Sequence, residues 1–254
     1  MSKIAHPKLR NPPIVEAVFD VDCDLPPGFD LKNLEARSRT QFADQYPKFR
    51  TQFMQELQID GLEVAQPKIS NRFAVQALQC LHEDEKQLVQ VRQQGFSFNR
   101  LAPYSSLDDY LPEIERTWRL YVDLISPVQI RVIRLRYINR ILVPLTAGVV
   151  DLDEFLKIGP RLPDEDGLAL SGFLSQQAAV EKVTGHQVNL VLTAQPPVSE
   201  KLPVIVDITV AASQPVADSV DWAEIVPVVG SLRTLKNRIF FNTLTAKCIQ
   251  LFQS

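Results

Sequence analysis

Three arginines near the middle of the chain are the residues whose type and spacing best suit chemistry. Arg134, Arg136 and Arg140 share one side of a predicted strand, Gln129–Pro144, whose other side is apolar. Guanidinium groups bind phosphates or carboxylates through paired hydrogen bonds, so this side predicts a site for a small anion. The competing interpretation is a solvated or internally paired sheet face, because exposed ion pairs are common and each contributes only about 0–1 kcal/mol.

Acidic side chains on two other predicted strands could meet these arginines. Glu16, Asp20 and Asp22 line one side of the strand IVEAVFDVD, and Asp207 lies in a later strand. Carboxylates four or six residues apart on one strand lie too far apart to meet at one ion, at about 3.3 Å per residue, so no metal site is predicted. An enzyme that acts on a phosphorylated or nucleic-acid substrate through an acidic and arginine-lined cleft is the alternative function.

Polar residues outside this group complete the predicted site. Asn99 and Arg100 are predicted to follow the end of a strand, where functional loops often begin, although both could equally serve the loop itself. Asn139 falls on the apolar side of the central strand and would need a hydrogen-bond partner if buried. The predicted ligand-binding or partner-binding residues are Glu16, Asp20, Asn99, Arg100, Arg134, Arg136, Asn139, Arg140 and Asp207.

Other catalytic chemistries lack their motifs. The histidines His6, His82 and His186 fall in the tail or in predicted turns, and no serine or cysteine stands in a nucleophile motif. The nine glycines are isolated, so neither a phosphate-binding loop nor a dinucleotide motif occurs. The sequence therefore predicts no catalytic residue, no cofactor and no metal.

Net charge and cysteine content indicate which partners and which cellular compartment suit this protein. The chain of 254 residues has a formal net charge of -3, which disfavours extended nucleic-acid binding. Its three cysteines are odd in number and widely spaced, as in a reduced, cytoplasmic protein. No leader or membrane-spanning segment is predicted, and we expect no association with membranes.

Hydrophobic periodicity predicts an α+β fold with two related βαβββα halves, 1–127 and 128–254, in one compact unit. Their antiparallel sheets are predicted to join or pack near the central strand, with the helices on one side. Residues 48–70 have no clear pattern. The predicted elements after the first strand are a helix from Asp30 to Gln45, strands Asn71–Leu81, Leu88–Arg92 and Phe96–Leu101, and a helix from Ser106 to before Pro127. After the central strand they are a short helix capped by Asp151, strands Gly172–Val180, Val188–Thr193 and Leu202–Ala211, and a helix from Asp218 or Ser219 toward Leu251.

The predicted C-terminal helix has two kinds of surface. Its wide apolar content is expected to cover the sheet and to leave some area for a partner or a second copy. A kink or restart is expected at Pro227 and Gly230. The predicted basic side consists of Arg233, Lys236, Arg238 and Lys247.

Six segments resemble a sporadically distributed family of prokaryotic proteins of similar length. They are NPPIVEAVFDV (Asn11–Val21), FSFNRLAPY (Phe96–Tyr104), RLRYINRI (Arg134–Ile141), LSGFL (Leu170–Leu174), VDI (Val206–Ile208) and IFFNTLTAKCIQLF (Ile239–Phe252). They occur in order over nearly the whole chain. The resemblance implies no reaction, ligand or catalytic residue, but the sporadic distribution suggests a prokaryotic defence or toxin-control setting.

The predicted function is therefore a non-enzymatic binding or interaction protein of the cytoplasm. Its expected partner is another protein, encoded nearby if the resemblance holds, or a second copy of the chain. A small anionic ligand on the arginine side is the other occupant that the sequence allows.

Overall fold

Nine strands form one antiparallel sheet in the part of the chain that the structure describes. This structure is a computed structural model, and it describes residues 7–60, 68–146, 150–161, 170, 172–212 and 220–253. The strand order is β2-β3-β4-β5-β1-β6-β9-β8-β7. The strands are β1 (Ile14–Asp24), β2 (Lys48–Asp60), β3 (Lys68–Leu81), β4 (Gln87–Arg92), β5 (Gly95–Leu101), β6 (Gln129–Pro144), β7 (Leu174–Val180), β8 (Gln187–Ala194) and β9 (Lys201–Ala212).

Four α-helices are described with this sheet, and the α+β class is confirmed. They are α1 (Glu35–Phe42), α2 (Leu107–Ile125), α3 (Trp222–Thr243) and α4 (Ala246–Gln250), with short 3-10 helices at Leu31–Leu34 and Leu152–Glu154. The predicted caps Asp30 and Asp151 are confirmed, and Ser106, the predicted start of the second helix, is also a cap, since each side chain accepts a hydrogen bond from a backbone N–H of the first turn. None of the helices in the described ranges is long and apolar enough to cross a membrane.

Helices α2 and α3 cover one face of the sheet because alternate strand residues are apolar. In β1, Ala17, Phe19 and Val21 are buried, as their alternation predicts. The Phe19 ring meets Trp222 of α3 edge to face at 5.9 Å between centroids. The Phe96 ring, on the same face, meets Trp118 of α2 at 5.6 Å. Both tryptophans therefore serve core packing, and the strongly charged sides of β1 and β6 lie on the opposite face.

Two predictions about element order are wrong. The first half has four strands after its helix, because residues 48–60 form β2, which pairs only with β3 at the edge of the described sheet. In the second half the predicted helix after Asp151 is only the 3-10 turn Leu152–Glu154. The strand order itself was not specified by periodicity, since one-sided burial is compatible with several arrangements of antiparallel strands.

The C-terminal helix also differs from its prediction. Helix α3 begins at Trp222 after an Asp221 cap and runs without interruption through Pro227 and Gly230. Pro227 is the sixth residue of α3, so the helix continues past it without the hydrogen bond that a backbone N–H would make there. The break comes later, between Thr243 and Ala246. The predicted start at Asp218 or Ser219 lies outside the described residues.

The turn between β4 and β5 depends on a glycine. Gly95 has φ +147°, and a Cβ built on it would lie 2.0 Å from the backbone oxygen of Val21. No side chain fits there, so the close pairing of β5 with β1 requires glycine at this position.

Candidate binding surfaces of the sheet

Two aspartates and two arginines form a closed network on the outer face, which we define as the face opposite α2 and α3. Arg92 Nη2 lies 2.7 Å from Asp20 Oδ1 and 2.9 Å from Asp22 Oδ1. Arg134 Nη1 lies 2.9 Å from Asp20 Oδ2, and its Nη2 lies 2.6 Å from Asp22 Oδ2. Each carboxylate is thus held between two guanidinium groups.

Strand register explains this network. Asp20 of β1 is directly opposite Arg134 of β6. On the other side of β1, Gly95 of β5 is paired with both Asp22 and Arg92. Because Gly95 has no side chain, Arg92 can reach from β4 across β5 to the aspartates of β1.

The pKa values in the network reflect this pairing. Burial alone would raise the pKa of Asp22, but the hydrogen bonds and charges of Arg134 and Arg92 outweigh it and hold this pKa below its usual value. Burial alone would lower the pKa of Arg134, but Asp22 and Asp20 outweigh it and raise this pKa. Asp20 also accepts a hydrogen bond from Ser97 Oγ at 2.5 Å. The Asp22 carboxylate is therefore stabilised as an anion by groups of the chain itself.

A second ion pair lies on the outer face beside the network. Arg136 Nε donates to both carboxylate oxygens of Asp207 at 3.0 Å, and its Nη2 donates to Oδ2 at 2.6 Å. This hydrogen bonding raises the pKa of Arg136. Arg140, farther along β6, donates through Nε to Gln195 Oε1 at 3.2 Å. The arginines predicted to bind an external anion are thus occupied by partners within the protein.

Glu16, another acidic residue of β1 on this face, ends a hydrogen-bonded row of amide side chains that crosses four strands. Asn99 Nδ2 donates to Glu16 Oε1 at 2.7 Å, and Gln90 Nε2 donates to Asn99 Oδ1 at 2.9 Å. Gln79 continues the row by donating to Gln90 Oε1 at 3.0 Å. This row links β3 to β1 and gives Asn99 a structural partner.

Seven of the nine predicted site residues share the outer face, and two do not. Asn99 and Arg100 lie within β5, so the prediction that they follow the end of a strand is wrong. Because side chains alternate along a strand, Arg100 lies on the covered face, where its guanidinium is 5.3 Å from the Tyr110 ring centroid. Asn139 is 2% exposed on the covered face and donates to the backbone oxygens of Tyr137 and Val206. The predicted need of a buried Asn139 for hydrogen-bond partners is confirmed.

The outer face has few features of a catalytic centre. Among the described residues, no group of three histidine, cysteine, aspartate or glutamate side chains is placed to hold a metal ion. The acids and arginines lie side by side on paired strands and neutralise each other. What this arrangement can do chemically is stabilise the sheet and present a polar surface.

One sheet edge has a different character. Strand β7 has no charged residue, and six of its seven residues are exposed. Leu174 and Val180 at its two ends are 74% and 62% exposed. Among the described strands it pairs only with β8, so one side of its backbone is left without a strand partner. The sequence predicts this strand but not its position at the edge of the sheet. Its lack of charged residues is the sequence signal that could have indicated a strand open to pairing.

The opposite edge strand, β2, carries charge at its start, although Phe53 and Met54 farther along it are exposed. Lys48 and Arg50 of β2 both contact Glu85 of the β3–β4 turn. Charged side chains on an edge strand discourage pairing with another chain. Strand β7 therefore lacks the edge charge that Lys48 and Arg50 give to the start of β2.

Comparisons with known proteins assign no family to this chain. No protein-family model matches the sequence, and no curated protein matches it either.

Proposed function

We propose that this protein is a non-enzymatic interaction module that receives a strand of a protein partner at the edge strand β7. The observation that carries the proposal is the combination of exposure, lack of charge and a free backbone side in Leu174–Val180. Added strands gain backbone hydrogen bonds along the whole edge, and alternate side chains supply specificity. Edges that are not used for binding are normally blocked by lysine, proline or a covering element.

The chemistry of the outer face supports a binding role over catalysis. Asp20, Asp22 and Asp207 are engaged by arginines, which leaves them poorly placed to act as general bases. Burial raises the pKa of Cys23, Cys80 and Cys248 to about 12, so these thiols are weak nucleophiles at neutral pH. The alternative, an enzyme working on a phosphorylated or nucleic-acid substrate through these acids and arginines, has less support for the same reason.

The cysteines also support a cytoplasmic location. Cys23, Cys80 and Cys248 are free and buried. Free buried thiols are typical of reducing compartments. We include this location in the proposal.

We also infer that the halves 1–127 and 128–254 are related. In each half the first strand lies beside the last: β1 pairs with β5, and β6 pairs with β9. The remaining strands follow in reverse order on each side, and β1 pairs with β6 where the halves meet. Strand β2 is then an addition to the first half. An experimental structure in which β3–β5 do not superpose on β7–β9 would contradict this relationship.

The binding proposal is tested with a lysine on the edge strand. Ala178→Lys places a charge on an exposed residue of β7 and should change the free energy of unfolding by no more than about 0.5 kcal/mol. The control Gln93→Lys adds the same charge in the exposed β4–β5 turn, in the other half of the sheet. Proteins captured from the native host on the wild type and on both variants are identified, purified and titrated against each form.

The expected result is a purified partner that binds wild type and Gln93→Lys equally and binds Ala178→Lys at least tenfold more weakly. Light scattering after size exclusion measures the mass of each form alone. A wild-type dimer that becomes a monomer with Ala178→Lys would make a second copy the partner at this edge. A partner that binds Ala178→Lys as tightly as wild type would refute β7 as the binding element.

A further inference from the structure

A cleft on the covered side of the sheet contains a buried lysine that no acidic side chain of the described residues neutralises. The cleft has a volume of about 410 Å³ and lies between the N-terminal segment 7–14, the segment 104–108 before and at the start of α2, strand β6 and helix α3. This volume is within the range of small-molecule sites. The cleft is separate from both the outer face and the β7 edge.

Helix geometry directs Lys236 inward. Leu232 and Phe240, one turn before and one turn after it on α3, are both buried against the core. Lys236 is 9% exposed, and its Nζ lies 3.9 Å from the centroid of the Tyr137 ring on β6. Lys236, predicted to belong to a basic side of the helix, is thus buried against the sheet.

The ammonium group of Lys236 lacks a hydrogen-bonded partner in the part of the chain that the structure describes. Within the described residues, its Nζ makes neither a hydrogen bond nor an ion pair, and the Tyr137 ring is its polarisable neighbour. Burial, helped by the charge of Arg233, lowers the pKa of Lys236 to about 7. A buried ammonium without a counter-ion is unfavourable, so an anion placed in the cleft would stabilise the charged form.

The other titratable groups lining the cleft do not supply that anion. Asp108 of α2 is held by Arg233, with Nη1 to Oδ1 at 2.5 Å and Nη2 to Oδ2 at 2.8 Å. The hydroxyl groups of Tyr104 and Tyr137 are 2.9 Å apart, and burial raises the pKa of both, so both stay neutral. Lys8 of the N-terminal segment adds a further positive group.

We propose that this cleft binds a small organic monoanion, with a carboxylate against Lys236 Nζ and an apolar body against Ile14 and Phe240. A single negative charge fits because Arg233 is already neutralised by Asp108, which leaves Lys236 as the buried cation without an acidic partner among the described lining residues. The apolar body fits because Leu9, Ile14, Leu107, Phe240 and Phe241 also line the cleft. A free carboxylic acid and the C-terminus of a peptide share this chemistry.

The test uses hexanoate as the probe and hexan-1-ol as its uncharged match. Calorimetric titrations at pH 8, in buffers of different ionisation enthalpy, give both the affinity and the number of protons taken up. Bound carboxylate should protonate Lys236, so we expect uptake of about 0.9 proton at pH 8 and about 0.1 proton at pH 6. Acetylphenylalanine and its amide then distinguish a peptide terminus from a free fatty acid as the preferred source.

Variants identify the residue responsible. Lys236→Met keeps an unbranched side chain of similar length and should bind hexanoate at least tenfold more weakly. Lys32→Met removes an exposed lysine of the 3-10 helix Leu31–Leu34, and this variant should bind hexanoate as the wild type does. If Lys236→Met fails to fold, the proton uptake of the wild type decides alone. Absence of hexanoate binding, equal binding by folded Lys236→Met, equal binding of hexan-1-ol, or binding at pH 8 without proton uptake would each overturn the proposal.

Discussion

Replacing Lys236 with methionine should change how the free energy of unfolding depends on pH. In the folded protein the pKa of Lys236 is about 7, whereas in the unfolded chain it returns to its ordinary value of 10.5. Between these two values the unfolded chain holds one proton more than the folded protein. The contribution of Lys236 to wild-type stability must therefore rise with pH across this interval, because deprotonation removes the cost of burying a charge. Methionine has no such proton, so the variant lacks this contribution.

The size of the effect follows from the proton count. One proton corresponds to about 1.4 kcal/mol per pH unit, so wild type should gain about 2 kcal/mol relative to Lys236→Met between pH 7.5 and 9. Below about pH 6 the lysine is protonated in both states, and the difference between the two proteins should become independent of pH. Comparing the two proteins cancels the titration of the other groups that both contain.

Urea unfolding at pH 6, 7.5, 8.25 and 9 measures this difference. Fluorescence of the buried Trp118 and Trp222 and far-ultraviolet circular dichroism provide two independent signals of the transition. The matched variant Lys32→Met should run parallel to wild type at every pH. A constant difference between wild type and Lys236→Met over the whole interval would refute the reasoning, because it would mean that Lys236 keeps its proton in the folded protein.

Three further predictions concern the sheet. Asp22→Asn should lower the free energy of unfolding by about 1–3 kcal/mol at pH 7. Because the folded-state pKa of Asp22 lies below 3.8, this loss should be complete above pH 3.8 and fade as pH falls through the folded-state pKa. An acid titration of both proteins in which the loss does not fade would contradict the network. Gly95→Ala should lower the free energy of unfolding by about 3 kcal/mol or more because the added Cβ meets the Val21 backbone oxygen. Gly185→Ala, at φ +73° with open space around it, should lower it by only about 1–2 kcal/mol. Thermal melts that rank the two variants the other way would contradict the close approach at Gly95. Calorimetry should record one unfolding transition because β1 and β6 pair at the centre of a continuous sheet, and two separated transitions would instead indicate independently stable halves.

Alternation predicted the two central strands well because it depends only on local geometry. Side chains of β1 and β6 must point to opposite faces in turn, so Phe19 and Leu135 were correctly expected inside and Asp20 and Arg134 on the other face. Alternation does not indicate whether these arginines are paired or free. The answer depends on Arg92, which reaches the acids from two strands away across Gly95, and no local pattern contains that information.

Edge strands gave the weakest signals. Residues 48–60 form β2, but an edge strand that pairs with one neighbour needs little alternation, and its polar and apolar residues are mixed. The sequence predicts the start of β7 to within two residues. The place of β7 at the edge depends on the order in which the strands pair, which its own sequence does not contain. A sequence pattern can therefore indicate that a strand exists without indicating which of its sides stays unpaired.

The contrast between Arg134 and Lys236 explains why the most charged segment of the sequence is a weaker candidate site than an isolated basic residue. On the outer face, each arginine of β6 except the exposed Arg140 has a carboxylate within reach on a neighbouring strand, so its charge contributes to the sheet. On the covered face, helix α3 brings Lys236 over Tyr137 without an acidic partner among the described residues, and the Asp108 carboxylate that also lines the cleft is already held by Arg233. Binding a ligand needs a group whose interactions are incomplete in the free protein, and strongly patterned charges on adjacent strands tend to complete one another. The cleft, where the incomplete group is a buried cation beside apolar walls, is therefore where a small anion would gain most from binding.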